Sequence, residues 1–400
     1  MLAFLLPLHP PPQFTVQTYT QVLTPPELLP LGGYTERGDH IGEPGGQELF
    51  ARTLIISLRA NKVAFVSFEG LTVPESLHYE VQRRLPDIPV FLVATHTHSA
   101  PDTQMLNERM KFRIPGIAPF KREWLDWYAL RIAGGIAKAE QSKPIPTNLN
   151  ISNWSTNLAR SRRPKSSVSN TLHIIQDQNN QPLITIFGAH ATCLEADNRK
   201  ANGDWPGEYM RRTYALVFPG AIGNASPNFD QAQGQRKAEG IAMALLKFVS
   251  GGSKISENLV FATEPIKLDP TKPHPEFAKQ NGVNEALATI AVSRFAPPKA
   301  NVTVALIGSV AIVGIPGEPT HDIERTIKAQ AEQAGFQAVV VSHCNGWIGY
   351  ILSPEDYDRG GYEATLSFNG RETGLRVIEA ATRLFKKLSR SATNAYSAQR

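Results

Sequence analysis

The stretch "VPESLHYEVQRRLPDIPVFLVATHTHSAP" (residues 73–101) decides how the chain is to be read. Its first half sets Leu77, Val81 and Leu85 at fourfold spacing, the apolar face of a helix. Its second half contains "PVFLVAT" (89–95), a strand pattern that stops abruptly at His96 and His98. Just upstream, "TLIISL" (53–58) and "VAFVSF" (63–68) are β-rich runs separated by "RANK", the pattern of a hairpin. Strand, helix and strand in this order make a parallel crossover, the repeating unit of α/β proteins.

The alternation continues outward. A helix is expected near 122–141, where Leu125, Tyr128, Ala129, Ile132 and Ile136 share one face. Strands are expected at 182–188, 214–218, 302–308, 310–315 and 337–342, and helices near 233–250, 320–335 and 372–388. The predicted fold is α/β, a mixed sheet between helix layers. A single catalytic domain is expected over 20–390, preceded by an N-terminal segment at 1–19 and followed by a frayed tail at 391–400. Residues 251–300, rich in Gly, Pro and Lys, are a candidate excursion.

Composition narrows the function. The 400 residues are 42% hydrophobic and 19% charged, the balance of a folded globular protein. The net charge of +5 is small, and "RSRRPK" (160–165) is the densest basic patch, so nucleic acid is not expected as a partner. With only Cys193 and Cys344, neither a disulfide framework nor a thiolate zinc site can be built. The opening "MLAFLLPLHPPPQ" lacks a basic leader and a small-residue cleavage site, which makes it a poor signal peptide and leaves the compartment undetermined. No apolar run is long enough to span a membrane.

The polar clusters share one address. "FLVAT" leads into His96 and His98, "LITIFGA" into His190, "YALVF" into "PGAIGNASPN", "VAIVGI" into "PGE" with Glu318, and "QAVVVS" into "HCNGWIGY" with Tyr350. Ligands of open α/β sheets bind beyond the carboxyl ends of the strands, so these clusters are expected to meet in one active site there. Taken singly, each is also an ordinary turn or loop, and spacing alone leaves a metal site and a set of loop residues both open.

Several short motifs then carry a resemblance. "LTPPELLPLGGY", "LFARTLII", "THTHSAP", "GAHAT", "NGDWPG", "GNASPN", "PGEPT" and "GYILSPEDYDRGGYE", in this order, resemble the catalytic domain of the neutral/alkaline non-lysosomal ceramidases. The resemblance runs from about residue 20 to about 388 and implies a Zn²⁺-dependent amidohydrolase acting on an N-acyl lipid or related N-acyl amine. It implies His96, His190, Glu318 and Tyr350 as metal ligands, Ser226 as the proposed nucleophile, and His98, Arg160 and Tyr362 as active-site residues. Two imidazoles, a carboxylate and a phenolate are a donor set zinc accepts.

The resemblance leaves water and Ser226 as rival nucleophiles. It also leaves a zinc hydrolase for another amide or ester, or a catalytically impaired metal- or lipid-binding protein, as alternative functions. Asn224 stands where the family pattern has an acid, and Trp347 where it has a tyrosine. No counterpart of the family's C-terminal immunoglobulin-like domain is expected within these residues. Oligomeric state and the roles of His343, Cys193 and Cys344 are not legible.

Overall fold

The protein is described by a computed structural model covering residues 13–38, 40–248 and 251–397, with side chains to residue 390. The apolar opening up to residue 12 and the end of the tail, residues 398–400, lie outside the described residues.

Three main sheets organise the chain. The first runs in the order β4-β3-β2-β1-β5, from β1 (Phe14–Val22), β2 (Phe50–Leu58), β3 (Asn61–Phe68), β4 (Val90–Ala94) and β5 (Ile145–Thr147). The second runs β10-β9-β8-β6-β12, from β6 (Asn150–Ser155), β8 (Thr171–Gln176), β9 (Pro182–Phe187), β10 (Leu216–Pro219) and β12 (Ser253–Lys254). The third runs β13-β14-β15-β17, from β13 (Leu259–Pro265), β14 (Asn301–Ile307), β15 (Val310–Gly314) and β17 (Gln337–Val341). Two short ribbons complete the set: β7 (Ala159–Ser161) with β11 (Ala225–Pro227), and β16 (Glu318–Pro319) with β18 (Tyr350–Ile351).

The α/β class expected from the sequence holds, but several sheets replace the single one. Strand alternation shows how they pack, because successive side chains face opposite sides. Leu54 and Ile56 of β2, Ile184 and Ile186 of β9, and Ile312 of β15 all enter one central core shared by the three sheets. The opposite faces each carry their own helices. Ile55, Val66 and Leu92 pack on α1 (Glu75–Arg83) and α2 (Arg122–Gln141). Leu172 and Val217 pack on α3 (Asp204–Thr213) and α4 (Gly234–Leu245), and Val304 and Val313 on α7 (His321–Gln333) and α10 (Thr373–Ser397). With both faces covered, β4 has all five residues buried, which explains its unbroken apolar run.

Strand β1 begins at Phe14, inside the segment set apart at 1–19, and pairs with β2 from Thr15↔Ser57 to Val22↔Phe50. Helix α10 continues to Ser397, well into the region expected to fray. The stretch 251–300 contributes β13, which pairs with β14, and two helices, α5 (Pro275–Gln280) and α6 (Glu285–Phe295).

Each sheet contains one parallel pair joined through a helix: β3 and β4 through α1, β9 and β10 through α3, and β15 and β17 through α7. The loops leaving these pairs are stitched together. Thr97 bridges Ala191, the Ser342 amide donates to the Pro219 carbonyl over 2.8 Å, and Cys344 bridges Val93. The three units thus close a circuit at the carboxyl ends of their strands.

Candidate metal centre

Inside that circuit four histidines, a glutamate and a tyrosine converge. His96 follows β4 in the left-handed backbone region (φ 65°) and is buried. Its Nδ1 lies 2.8 Å from the Leu71 carbonyl, and that of His190 lies 2.9 Å from the Ala225 carbonyl. A carbonyl only accepts, so both Nδ1 atoms carry the proton and both Nε2 lone pairs face inward.

Glu318 completes the inner face. Its Oε2 lies 3.2 Å from His190 Nε2 and 3.7 Å from His96 Nε2, and it has no hydrogen-bond donor. Its Oε1 accepts from the Trp347 indole over 3.1 Å. Glu318 and Tyr350 are direct partners in the parallel β16–β18 ribbon, and the Tyr350 hydroxyl stands 3.5 Å from His190 Nε2. Gly223 permits this ribbon to form against the "GNASPN" loop, because a Cβ there would come within 2.4 Å of the Glu318 carbonyl.

His96 Nε2, His190 Nε2 and Glu318 Oε2 are buried acceptors with only the Tyr350 hydroxyl and His98 Nε2 beside them as donors, an acceptor-rich cluster that a cation would relieve. Two ligands at 2.0–2.1 Å on a tetrahedral ion lie about 3.3 Å apart, close to the separations His190–Glu318 (3.2 Å) and His190–Tyr350 (3.5 Å). Carbonyl-anchored imidazoles are also the usual surroundings of metal-binding histidines. The donor set therefore fits a divalent metal ion. Ligand-capable atoms of His96, His98 and His190 lie within 4.8 Å of one another, as do those of His96, Glu318 and His343.

Burial sets the protonation states. It lowers His96, and it lowers His98 well below the usual imidazole range with help from His96 and His190. Burial and the nearby Arg162 push His190 down to about 4. These imidazoles are neutral at pH 7, the form that binds metal. For Glu318 burial pushes upward, while positive charge at His96, His190 and His343 pulls the carboxyl well below the usual range, so with these imidazoles neutral the carboxylate calls for a cation among them. Burial raises the Tyr350 phenol well above its ordinary value, with Arg162 pulling the other way.

The remaining expected residues are distributed unevenly. His98 is half-buried, with its Nε2 3.2 Å from that of His96 and its ring edge-on to Tyr34 at 4.8 Å. The loop carrying Tyr34 approaches closely because Gly33 (φ 96°) has no Cβ, which would lie 2.5 Å from the His98 ring. Ser226 is half-buried on β11, joined by a peptide bond to the Ala225 carbonyl that anchors His190. Tyr362 is 60% exposed, its ring 5.9 Å from that of Tyr350. The Arg160 side chain is not brought into the cluster. It is exposed and pairs with Asp230 at 3.1 Å.

The arginine that reaches the cluster is Arg162, which donates to the Tyr350 hydroxyl over 2.8 Å and to Glu363 over 2.7 Å. Glu363 also accepts from buried Arg163 at 2.6 Å, tying the Tyr362 segment to the loop after β7. His343 is the second residue without an expected role, fully buried beside His96. Asn224 is a structural residue: its Nδ2 donates to the Ser167 carbonyl (2.7 Å), and its Oδ1 accepts from the His321 amide at the start of α7 (3.1 Å). Both cysteines are buried and free, and among the described residues no helix is long and apolar enough to cross a membrane.

No protein-family model matches the sequence, and no curated protein does. Solved structures do match. The crystal structure of neutral ceramidase from Pseudomonas aeruginosa superposes with a TM-score of 0.76 at 16% identity, over 94% of this chain and 75% of that one. A ceramidase complexed with C2 superposes with a TM-score of 0.75 at 16% identity, over 94% of this chain and 76% of that one. Almost the whole chain, with its three sheets and the strand-end circuit between them, thus has the fold of bacterial neutral ceramidase.

Proposed function

We propose that the protein is a zinc-dependent amidohydrolase that cleaves the amide bond of an N-acyl amine bearing an apolar tail. The observation that carries this reading is the convergence of His96 Nε2, His190 Nε2 and Glu318 Oε2, with both imidazoles anchored through Nδ1. The shared ceramidase fold supports the choice of an amide as the scissile bond.

His96, His190, Glu318 and Tyr350 would hold the ion. Zinc, when bound, supplies a Lewis acid that polarises the amide carbonyl. The chain's own groups do the rest. Ser226 either attacks the carbonyl carbon or donates to the oxyanion when water attacks. His98, neutral and closer to solvent than His96, takes the nucleophile's proton and returns it to the leaving amine. Arg162 holds the Tyr350 oxygen, and the exposed Tyr362 meets the substrate as it enters.

The test pairs metal analysis of the purified protein with kcat/KM across a series of N-acyl amines from acetyl to octadecanoyl, at fixed detergent. Each buried CH₂ contributes about 0.8 kcal/mol, so an apolar-tail substrate shows steadily rising kcat/KM until the pocket ends. The expected result is one zinc per chain and such a rise. Zinc without hydrolysis of any member would leave a metal-binding protein and sink the enzymatic reading.

A further inference from the structure

The two carboxylate oxygens of Glu318 have different surroundings. Oε2 faces His96 and His190 without a hydrogen-bond partner, while Oε1 accepts the indole N–H of Trp347 over 3.1 Å. The main chain sets up this contact. The Ile348 amide donates to the Pro316 carbonyl over 2.8 Å and the Glu318 amide to the Gly349 carbonyl over 3.0 Å, so the two loops run side by side. Asn345 pins the near end, its side chain accepting from the Leu92 amide at 2.8 Å and donating to the Val90 carbonyl at 3.1 Å.

The half-buried indole is also braced from outside the metal centre. Its ring packs edge-on to Phe368 at 5.5 Å, and Phe368 packs edge-on to Phe295 of α6 at 5.2 Å. Helix α6 belongs to the 251–300 excursion, which thereby reaches a ligand of the centre. Trp347 further lines a cavity of about 240 Å³ with His78, Asn301 and Asn345, and that space offers a different ring room to settle.

We propose that Trp347 is a positioning residue of the metal centre: its N–H engages Glu318 Oε1 and so presents Oε2 alone to the ion. The inference rests on the metal-centre reading above. An indole is a donor only and carries no charge, so it orients the carboxylate without neutralising it. A lysine or arginine there would instead compete with the ion for the same negative charge. Without the indole, Oε1 is left buried and short of a donor, and the carboxylate turns toward the ion to relieve it.

The experiment is a cobalt(II) titration of the metal-stripped full chain, read by visible ligand-field absorption and by competition with zinc. Wild type is compared with Trp347→Phe, which keeps a ring and removes the donor, and with Trp347→Tyr, which returns a donor as a hydroxyl. Trp347→Leu replaces the first variant if it does not fold. Wild type should bind one equivalent. Trp347→Phe should bind 10- to 100-fold more weakly, the usual loss when a partner of a metal ligand is removed, and its spectrum at saturation should be shifted. Trp347→Tyr should fall between the two. A side chain that serves packing alone would alter the melting temperature of the metal-free variants and leave the saturated spectrum unchanged. Wild-type affinity and spectrum in the folded donor-free variant, or equal affinities with and without the tyrosine hydroxyl, would overturn the role of Trp347 and leave the metal centre intact. Failure of wild type to take up cobalt or zinc would remove the metal centre itself.

Discussion

Arg162 and Tyr350 are joined by a 2.8 Å hydrogen bond from the guanidinium to the phenol oxygen, with the guanidinium carbon 5.5 Å from the ring centroid. A cation on this oxygen favours its deprotonated form, the form a metal takes, against the burial of the phenol that disfavours it. Loss of a partner that orients a metal ligand typically costs 10- to 100-fold in affinity or activity. Arg162→Met should therefore lower kcat by about that factor and weaken zinc binding, whereas Arg160→Ala, which breaks only an exposed pair with Asp230, should change kcat less than twofold. Steady-state kinetics and zinc competition on the two variants give the comparison, and equal losses in both would refute it.

Ser226→Ala should lower turnover by about 10² to 10³ while zinc content stays at the wild-type level. The serine reaches the site through β11, and the His190 anchor is the main-chain carbonyl of Ala225, which this change leaves in place. Metal analysis beside kcat decides the matter. Wild-type turnover would make Ser226 a turn residue.

Asn224→Asp should destabilise the fold by about 1–3 kcal/mol and restore no activity. The wild-type amide donates to the Ser167 carbonyl and accepts from the His321 amide, and only an amide can do both without an added proton. A carboxylate facing a carbonyl at 2.7 Å must be protonated to keep that contact. Its folded pKa is then raised, so the deficit should shrink as pH is lowered. Urea unfolding at pH 7 and pH 5 measures the change. A variant as stable as wild type at pH 7, or a more active one, would contradict the assignment.

His173 gives the chain an acid-sensitive contact remote from the metal centre. Burial, with Lys328 opposite, lowers its pKa from the ordinary 6.5 to about 3, while Nδ1 donates to the Asn153 side chain and Nε2 faces the Lys328 ammonium at 3.4 Å. Between these values the unfolded chain takes up a proton that the folded one refuses. Stability from this group is present above pH 6.5 and declines as pH falls toward 3, by about 1.4 kcal/mol per unit. His173→Gln should flatten the dependence of the urea midpoint on pH between 7 and 4. An unchanged slope would assign the acid lability elsewhere.

Local pattern was sufficient where one residue's environment follows from its neighbours. The β2–β3 hairpin, the crossover through α1 to β4 and the bounds of α2 all stood in the sequence, because apolar period alone dictates them. Strand β1, "FTVQTYTQV", was obscured by its polar alternate positions and its closeness to the apolar opening. Helix α3 carries no helical signature in the sequence, because Pro206 and Gly207 are poor helix formers, although proline is tolerated in a first turn. Three sheets instead of one were not legible, since local sequence does not say which strand edges pair. His96, His190, Glu318 and Tyr350 could be placed together because all follow strand ends. Arg162 could not be told from Arg160, as "RSRRPK" offers three arginines and the end of β7 decides which turns inward. His343 carried no signal beyond its position after a strand, and its stacking on His96 arises only from the meeting of two sheets.

The circuit of strand ends also sets when the site can come into being. His96 is delivered by the first sheet, His190 by the second, Glu318 and Tyr350 by the loops of the third, and the loops brace one another through the Thr97–Ala191, Ser342–Pro219 and Cys344–Val93 contacts. A chain emerging from the ribosome holds two of its imidazoles long before it holds the carboxylate. Assembly of the donor set waits on the last third of the polypeptide and on contacts of high sequence separation, the slowest kind to form. A metal held by this donor set would thus bind only after the three sheets have met.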